Sequence, residues 1–187
     1  MVQTPTKPLT LEAFLRLPET EPPNEYIDGR IIQKPMPQGE HSVVQTELAP
    51  AINSVVKSVK IARAFAELRC TFGGRSTVPD ISVFQWHRIP RKENGGVANV
   101  FSLAPDWTIE ILSPDQSQTK VTKNILHCLS HGALMGWLID PAEQCVFIYR
   151  SDCPTIVCDE PETQLLVPEF AKDFRLTVGE LFGWLME

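Results

Sequence analysis

The sequence predicts an α/β fold in which helices flank a mixed central β-sheet. Strand-like apolar runs recur along the chain, amphipathic helical patterns interrupt them, and an Asp-Gly pair between β-branched residues indicates an early hairpin. With 187 residues, 43% of them hydrophobic and 21% charged, the chain has the composition of a globular domain. We therefore expect a single domain over residues 1–187, with a flexible N-terminus at 1–9 and an acidic C-terminal extension at 151–187 that packs on the core.

Capping and turn signals predict the N-terminal elements. Thr10–Leu17 suits a short helix whose threonine is the N-cap. Tyr26–Ile32, which contains the Asp-Gly pair, is typical of a hairpin. Apolar residues at helical spacing then predict a longer helix over His41–Val59, with a kink at Pro50.

The remaining elements follow from runs of apolar residues and their spacing. Strands are predicted at Ile61–Glu67, Val78–Phe84, Trp107–Leu112, Gly136–Pro141 and Gln144–Tyr149. Two further helices are predicted at Gln118–Ser130 and Leu176–Leu185. The order of helices and strands favours a mixed sheet rather than an all-helical or all-β fold.

Several classes of protein are disfavoured by composition. The segment Met1–Lys7 is polar and lacks the apolar stretch of a secretory signal, and no apolar run has membrane-spanning length. The five cysteines lack CxxC spacing, which favours reduced, buried thiols over a zinc site. We therefore expect a cytoplasmic protein without a membrane partner.

The net charge of −6 argues against a nucleic-acid binder, but its distribution does not. Residues 151–187 contain eight acidic and two basic residues, so acidic and basic residues are equal in number in the rest of the chain. Seven basic residues opposed by two acids occupy 60–92: Lys60, Arg63, Arg69, Arg75, Arg88, Arg91 and Lys92. Such a stretch suits contact with a phosphate backbone, although it would equally suit a solvated surface.

Two carboxylates in apolar strands carry the chemistry. Asp80 begins one β-branched run, and Glu110 lies inside another. Carboxylates avoid such surroundings unless their burial is compensated. A shared divalent metal is one compensation, because Mg²⁺ binds carboxylate oxygens. The alternative is that each acid forms a salt bridge or caps a turn at the end of its strand.

Five motifs, in this order, resemble the PD-(D/E)XK nuclease superfamily and, more closely, its Uma-type branch of restriction-like endonucleases. They are Asn24–Gly29, His41 at a helix start, Val78–Asp80, Ile109–Pro114 and Gly136–Pro141. The resemblance covers about residues 10 to 150 and implies a restriction-endonuclease-like core.

The resemblance also implies a metal-dependent endonuclease acting on DNA. Asp80 and Glu110 would bind Mg²⁺ or Mn²⁺, with the backbone carbonyl of Ile111 as a third ligand. Two alternatives stay open: a catalytically silent nucleic-acid-binding or protein-interaction module on the same fold, and a hydrolase of small phosphoesters.

The sequence departs from the superfamily motif at Leu112, where the pattern has a lysine. A cation on the following helix could replace it, and Lys120 and Lys123 are the candidates, with Lys120 preferred. Either lysine could instead be a solvated charge on the helix surface.

Two residues nearer the N-terminus complete the candidate site. Glu25 matches an acidic position of the branch and could position a water or a metal; alternatively it is an exposed charge at a strand start. His41 could contact phosphate or a nucleophilic water, or be structural. Ser42 with Gln45 also fits a capping box.

A homodimer is expected because cutting both strands of a duplex usually requires two sites. The segment Phe147–Tyr149 is predicted to extend a sheet across the dimer axis. Trp86 is a candidate for stacking on a base, whereas Trp107 and Trp137 are expected in the core.

Overall fold

The computed structural model of the chain describes residues 9–114 and 116–187, so the expectation of a flexible N-terminus lies almost entirely outside the described residues. Within them, the α-helices α1 to α4 are Leu11–Phe14, Gly39–Val56, Gln118–Ser130 and Val178–Gly183. The strands β1 to β10 are Asn24–Ile27, Arg30–Gln33, Ala62–Ala66, Cys70–Phe72, Arg75–Thr77, Ile81–Gln85, Trp107–Ile111, Met135–Asp140, Cys145–Tyr149 and Ile156–Cys158.

A six-stranded sheet forms the centre of the molecule, in the order β10-β9-β8-β7-β6-β3. Neighbouring strands are antiparallel except β7 and β8, which α3 connects in parallel. The predicted α/β fold with a mixed central sheet flanked by helices is therefore confirmed.

Both faces of this sheet are covered, which explains the continuous apolar runs of β6, β7 and β8. On one face, α2 packs Leu48 and Ile52 into a cluster that also contains Trp107 and Trp137. The C-terminal segment adds Phe174, among others, to the same cluster. On the other face, α3 packs against the sheet through the buried side chains of Val121, Ile125 and Cys128.

A smaller four-stranded sheet, in the order β2-β1-β5-β4, stands beside the central one. The Asp-Gly hairpin forms as predicted, with Asp28 and Gly29 at positive φ. The hairpin of β4 and β5 was not predicted; it turns through Gly73 and Gly74, both at positive φ. Every residue of β2 is exposed, whereas β6 to β8 are almost wholly buried.

Two sequence expectations are wrong. The N-cap of α2 is Gln38, so Ser42 and Gln45 lie inside the helix and form no capping box. Phe147–Tyr149 belongs to β9, which pairs with strands on both sides and cannot extend the sheet to a second copy. The edge strand at that end of the sheet is β10. The homodimer therefore stays a prediction, but Phe147–Tyr149 cannot form its interface by strand pairing.

Trp107 and Trp137 lie in the core as expected, with ring centroids 4.7 Å apart in an edge-to-face arrangement. In the stretches 9–114 and 116–187, no helix combines the length and hydrophobicity needed to cross a membrane.

Candidate functional site

The pairing of β6 with β7 brings the two candidate acids together. Ile81 lies opposite Ile109 in this antiparallel pair, so Asp80 and Glu110 are neighbours at the sheet end. Both are buried, with exposed fractions of 2% and 4%. The backbone N–H of Ile111 donates to Oδ2 of Asp80 at 2.7 Å, which fixes the Asp80 carboxylate against β7.

Lys34 supplies the cation of this cluster, and it comes from the smaller sheet. It follows β2 directly, and its backbone N–H donates to the carbonyl of Pro23. Its Nζ donates to Oδ1 of Asp80 at 2.6 Å and to the carbonyl of Val78 at 2.7 Å. The same Nζ lies 3.9 Å from Oε2 of Glu110. No motif in the sequence marks this lysine.

Helix α2 holds Asp80 from a third side. His41, in the first turn, has Nε2 3.4 Å from Oδ1 of Asp80 and Nδ1 3.1 Å from the Ser113 hydroxyl. One turn later, the Gln45 side chain donates to the backbone carbonyl of Asp80 at 2.9 Å. Both ring nitrogens of His41 are thus engaged by protein groups, which favours a role in positioning Asp80 over contact with phosphate.

Glu25 lies on β1 and is buried rather than exposed. Its Oε1 accepts a hydrogen bond from the backbone N–H of Val78 at 2.8 Å, two residues before Asp80. The bond joins β1 to the segment that carries Asp80. Glu25 therefore adds a third carboxylate to the cluster.

The charges of this cluster shift its pKa values in opposite directions. Burial raises the pKa of Glu110 well above its ordinary value and raises that of Glu25, while Lys34 opposes both shifts. Burial acts the same way on Asp80, but Lys34 and His41 outweigh it and lower the pKa of Asp80 to about 2. Burial would lower the pKa of Lys34, yet the three carboxylates raise it. The ion pair therefore joins Lys34 and Asp80, while Glu110 and Glu25 keep their protons to a higher pH than ordinary glutamates.

A cleft of about 640 Å³ opens beside the cluster, between the β1–β2 hairpin and α3. Glu25, Lys34 and Glu110 line it. Its walls also carry four basic side chains: Arg30, Arg75, Lys120 and Lys123. In the described part of the chain, Lys120 and Lys123 form no ion pair with Asp80 or Glu110.

Comparison with known proteins identifies the family of the chain. Residues 11–179 match the Uma2 family, which is described as "Putative restriction endonuclease". The chain belongs to this family. It is also similar to a crystal structure described as "a putative nuclease belonging to DUF820 from Anabaena variabilis ATCC 29413". The two chains are 68% identical, with a TM-score of 0.94 over 95% of this chain and 99% of that one. No curated protein is significantly similar to the chain.

The missing motif lysine of this Uma2-family chain has a structural explanation. Leu112 packs against the cluster formed by Val121, Ile125 and Leu138 under α3. The position is thus used to attach the helix to the sheet. The cation near Asp80 and Glu110 is instead Lys34, which comes from an element far earlier in the chain.

The basic stretch predicted as a phosphate-binding surface is largely paired within the protein. Three of its arginines form ion pairs, with a guanidinium nitrogen 2.9 Å or less from a carboxylate oxygen. The pairs are Arg69 with Glu19, Arg75 with Asp28, and Arg88 with Asp106. Arg91 lies over the ring of Trp86, at 5.0 Å from its centroid. Of the seven basic residues, Arg75 alone lines the cleft.

The donor set fits a divalent metal. Two buried carboxylates, Asp80 and Glu110, meet at the sheet end, and Glu110 faces the cleft. The hydrogen bond to Asp80 also brings the backbone of Ile111 alongside. Hard cations take such oxygens and complete their shell with water. Among the described residues, no group of three or more His, Cys, Asp or Glu side chains is arranged as a metal site, so backbone and water oxygens would have to complete this one.

Proposed function

We propose that this chain is a metal-dependent endonuclease that hydrolyses DNA phosphodiester bonds. The observation that carries the proposal is the buried Asp80–Glu110 pair, of which Glu110 lines a cleft with basic walls. Mg²⁺ or Mn²⁺, held by these carboxylates and the carbonyl of Ile111, would activate a water and offset the charge that develops on phosphate. Family membership and the similar nuclease structure support the same activity.

The side chains around the pair have separate roles in this proposal. His41 and the Ile111 N–H hold the Asp80 carboxylate in place. Lys34 provides the cation that the motif position Leu112 lacks. Glu25 would add a third carboxylate near the divalent ion. Lys120 and Lys123, on the α3 wall, would hold the phosphates flanking the scissile bond.

The test is cleavage of supercoiled plasmid and of a linear duplex with Mg²⁺, with Mn²⁺ and with EDTA. Glu110→Gln should lower the rate by roughly 10³-fold or more, because it removes a metal ligand while preserving shape. Glu143→Gln, an exposed acid in the turn between β8 and β9, is the matched control and should cleave at the parent rate.

Each alternative has its own outcome in the same assay. DNA binding that weakens with salt, without cleavage under any metal condition, would identify a silent binding module. Cleavage of a small phosphodiester but not of DNA would identify a small-phosphoester hydrolase. Cleavage by Glu110→Gln at the parent rate would contradict the proposed site.

A further inference from the structure

The ammonium of Lys34 lies within 4 Å of both acids, where it would compete with a divalent cation for their oxygens. Nζ is 2.6 Å from Oδ1 of Asp80 and 3.9 Å from Oε2 of Glu110. The group is buried, with a side-chain exposure of 11%. In this arrangement Lys34 is the counter-ion of the pair.

The other contacts of Asp80 leave little room for a second cation. Oδ2 accepts from the Ile111 N–H, and Oδ1 faces both Lys34 and His41. Three of the roughly four lone-pair directions of the carboxylate are therefore taken. Mg²⁺ binds oxygen at about 2.0–2.1 Å, so an ion bridging Asp80 and Glu110 would meet the ammonium at close range. Two like charges at that distance repel strongly in a buried site.

Two cavities beside Lys34 leave space into which its amine can move. Its side chain lines the cleft and also a small adjoining cavity that it shares with Asp80 and His41. A lysine has a flexible four-carbon stem, so its amine can turn while the backbone stays fixed. On the cleft side it would remain beside Glu25 and Glu110, both of which line that cleft.

We propose that Lys34 is a movable counter-ion. Its ammonium neutralises the Asp80–Glu110 pair in the metal-free protein, and it leaves Oδ1 of Asp80 for the cleft when a divalent cation binds. The inference rests on the proposed function, because it requires the metal site. In the cleft the amine faces the space that a scissile phosphate would fill, a role that Leu112 cannot serve.

The first test follows the wild-type amine directly. The full chain is treated with an amine-acetylating reagent, with EDTA or with saturating Mn²⁺ confirmed by calorimetry, and acetylation of each lysine is measured by mass spectrometry. Acetylation of Lys34 should rise several-fold with Mn²⁺, while Lys57, exposed at the end of α2, should not change. Unchanged acetylation of Lys34 at saturating Mn²⁺ would overturn the inference and leave the nuclease proposal intact.

The second test compares Mn²⁺ affinities of variants by calorimetry without DNA. Lys34→Met should bind Mn²⁺ at least roughly tenfold more tightly than wild type, because the competing charge is gone. Lys57→Met removes the same charge from the surface outside the cleft and should change the affinity by less than about threefold. Affinity of Lys34→Met equal to or below wild type would overturn the inference.

Two further outcomes are decisive. If Lys34→Met does not fold in EDTA, the acetylation of Lys34 in the wild-type chain decides whether the inference stands. If wild type binds no Mn²⁺ at all, the inference and the metal-dependent part of the proposed function fall together.

Discussion

The two sheets of this molecule contribute to the site in different ways. The six-stranded sheet is covered on both faces, and its strands β6 and β7 carry Asp80 and Glu110 at one end. The four-stranded sheet is covered less, and its strand β2 is exposed along its whole length. Yet this smaller sheet supplies Glu25 and, directly after β2, Lys34.

The difference shows that the acids and their counter-ion are held by different parts of the molecule. Asp80 is held by α2 and by the backbone of β7, so its carboxylate has little freedom. Lys34 is held by its backbone beside β1, while its long side chain crosses to the central sheet. The Lys34–Asp80 ion pair is therefore a contact between the two sheets as well as part of the site.

The largest expected effect comes from breaking that ion pair. In the metal-free protein, Asp80→Asn leaves the Lys34 ammonium buried with Glu110 at 3.9 Å as its nearest carboxylate. Removing one partner of a buried pair costs about 3–5 kcal/mol, so the free energy of unfolding in EDTA should fall by that amount. Urea unfolding measures it. A loss below about 1 kcal/mol would mean that the pair does not hold the sheets together.

The two sheets should also differ in their tolerance of truncation. Ile109→Ala on β7 empties a fully buried site and should cost about 2–5 kcal/mol of unfolding free energy. Ile31→Ala on β2, where the side chain is 43% exposed, should stay within about 0.5 kcal/mol. Similar losses for both isoleucines, measured by urea unfolding, would show that β2 is buried in solution, for instance by a second copy.

The third prediction concerns pH, and it separates the two acids of the central sheet. The pKa of Glu110 is raised by burial, so the folded state binds its proton more tightly than the unfolded state. Its contribution is therefore complete below the unfolded pKa and is lost as the pH rises through the folded pKa. In EDTA, wild type should lose stability as the pH rises above the ordinary pKa of a glutamate.

Glu110→Gln should make that decline shallower. Part of it should persist, because the pKa of Glu25 is raised as well. Unfolding free energies measured at increasing pH in EDTA provide the test. An equally steep decline in Glu110→Gln would show that the raised pKa of Glu110 does not cause the loss of stability.

The smallest effects are expected on the cleft wall opposite the small sheet. Lys120→Ala and Lys123→Ala should each weaken duplex binding in EDTA and reduce the slope of log affinity against log salt by about 1. Lys57→Ala, outside the cleft, is the control. Slopes equal to wild type would remove α3 from the DNA-binding surface and leave Arg30 and Arg75 as its cations.

The sequence by itself determined the parts of the fold that local patterns encode. The bounds of α3 match the prediction residue for residue, because its apolar spacing and flanking signals are complete. The Asp-Gly pair likewise predicted the hairpin, and runs of apolar and β-branched residues predicted the strands around Asp80 and Glu110. The β4–β5 hairpin was missed although Gly73-Gly74 signals it, because its strands are only three residues long.

The tertiary structure decided which cation joins the acids. The superfamily motif predicts a cation after Glu110. Lys34 instead precedes Asp80 by 46 positions and follows an exposed strand. No local pattern marks such a lysine, since its contact depends on how the small sheet stands against the central one. The sequence therefore encoded the two carboxylates through their unusual apolar surroundings, while the position of their counter-ion arises only when both sheets are packed together.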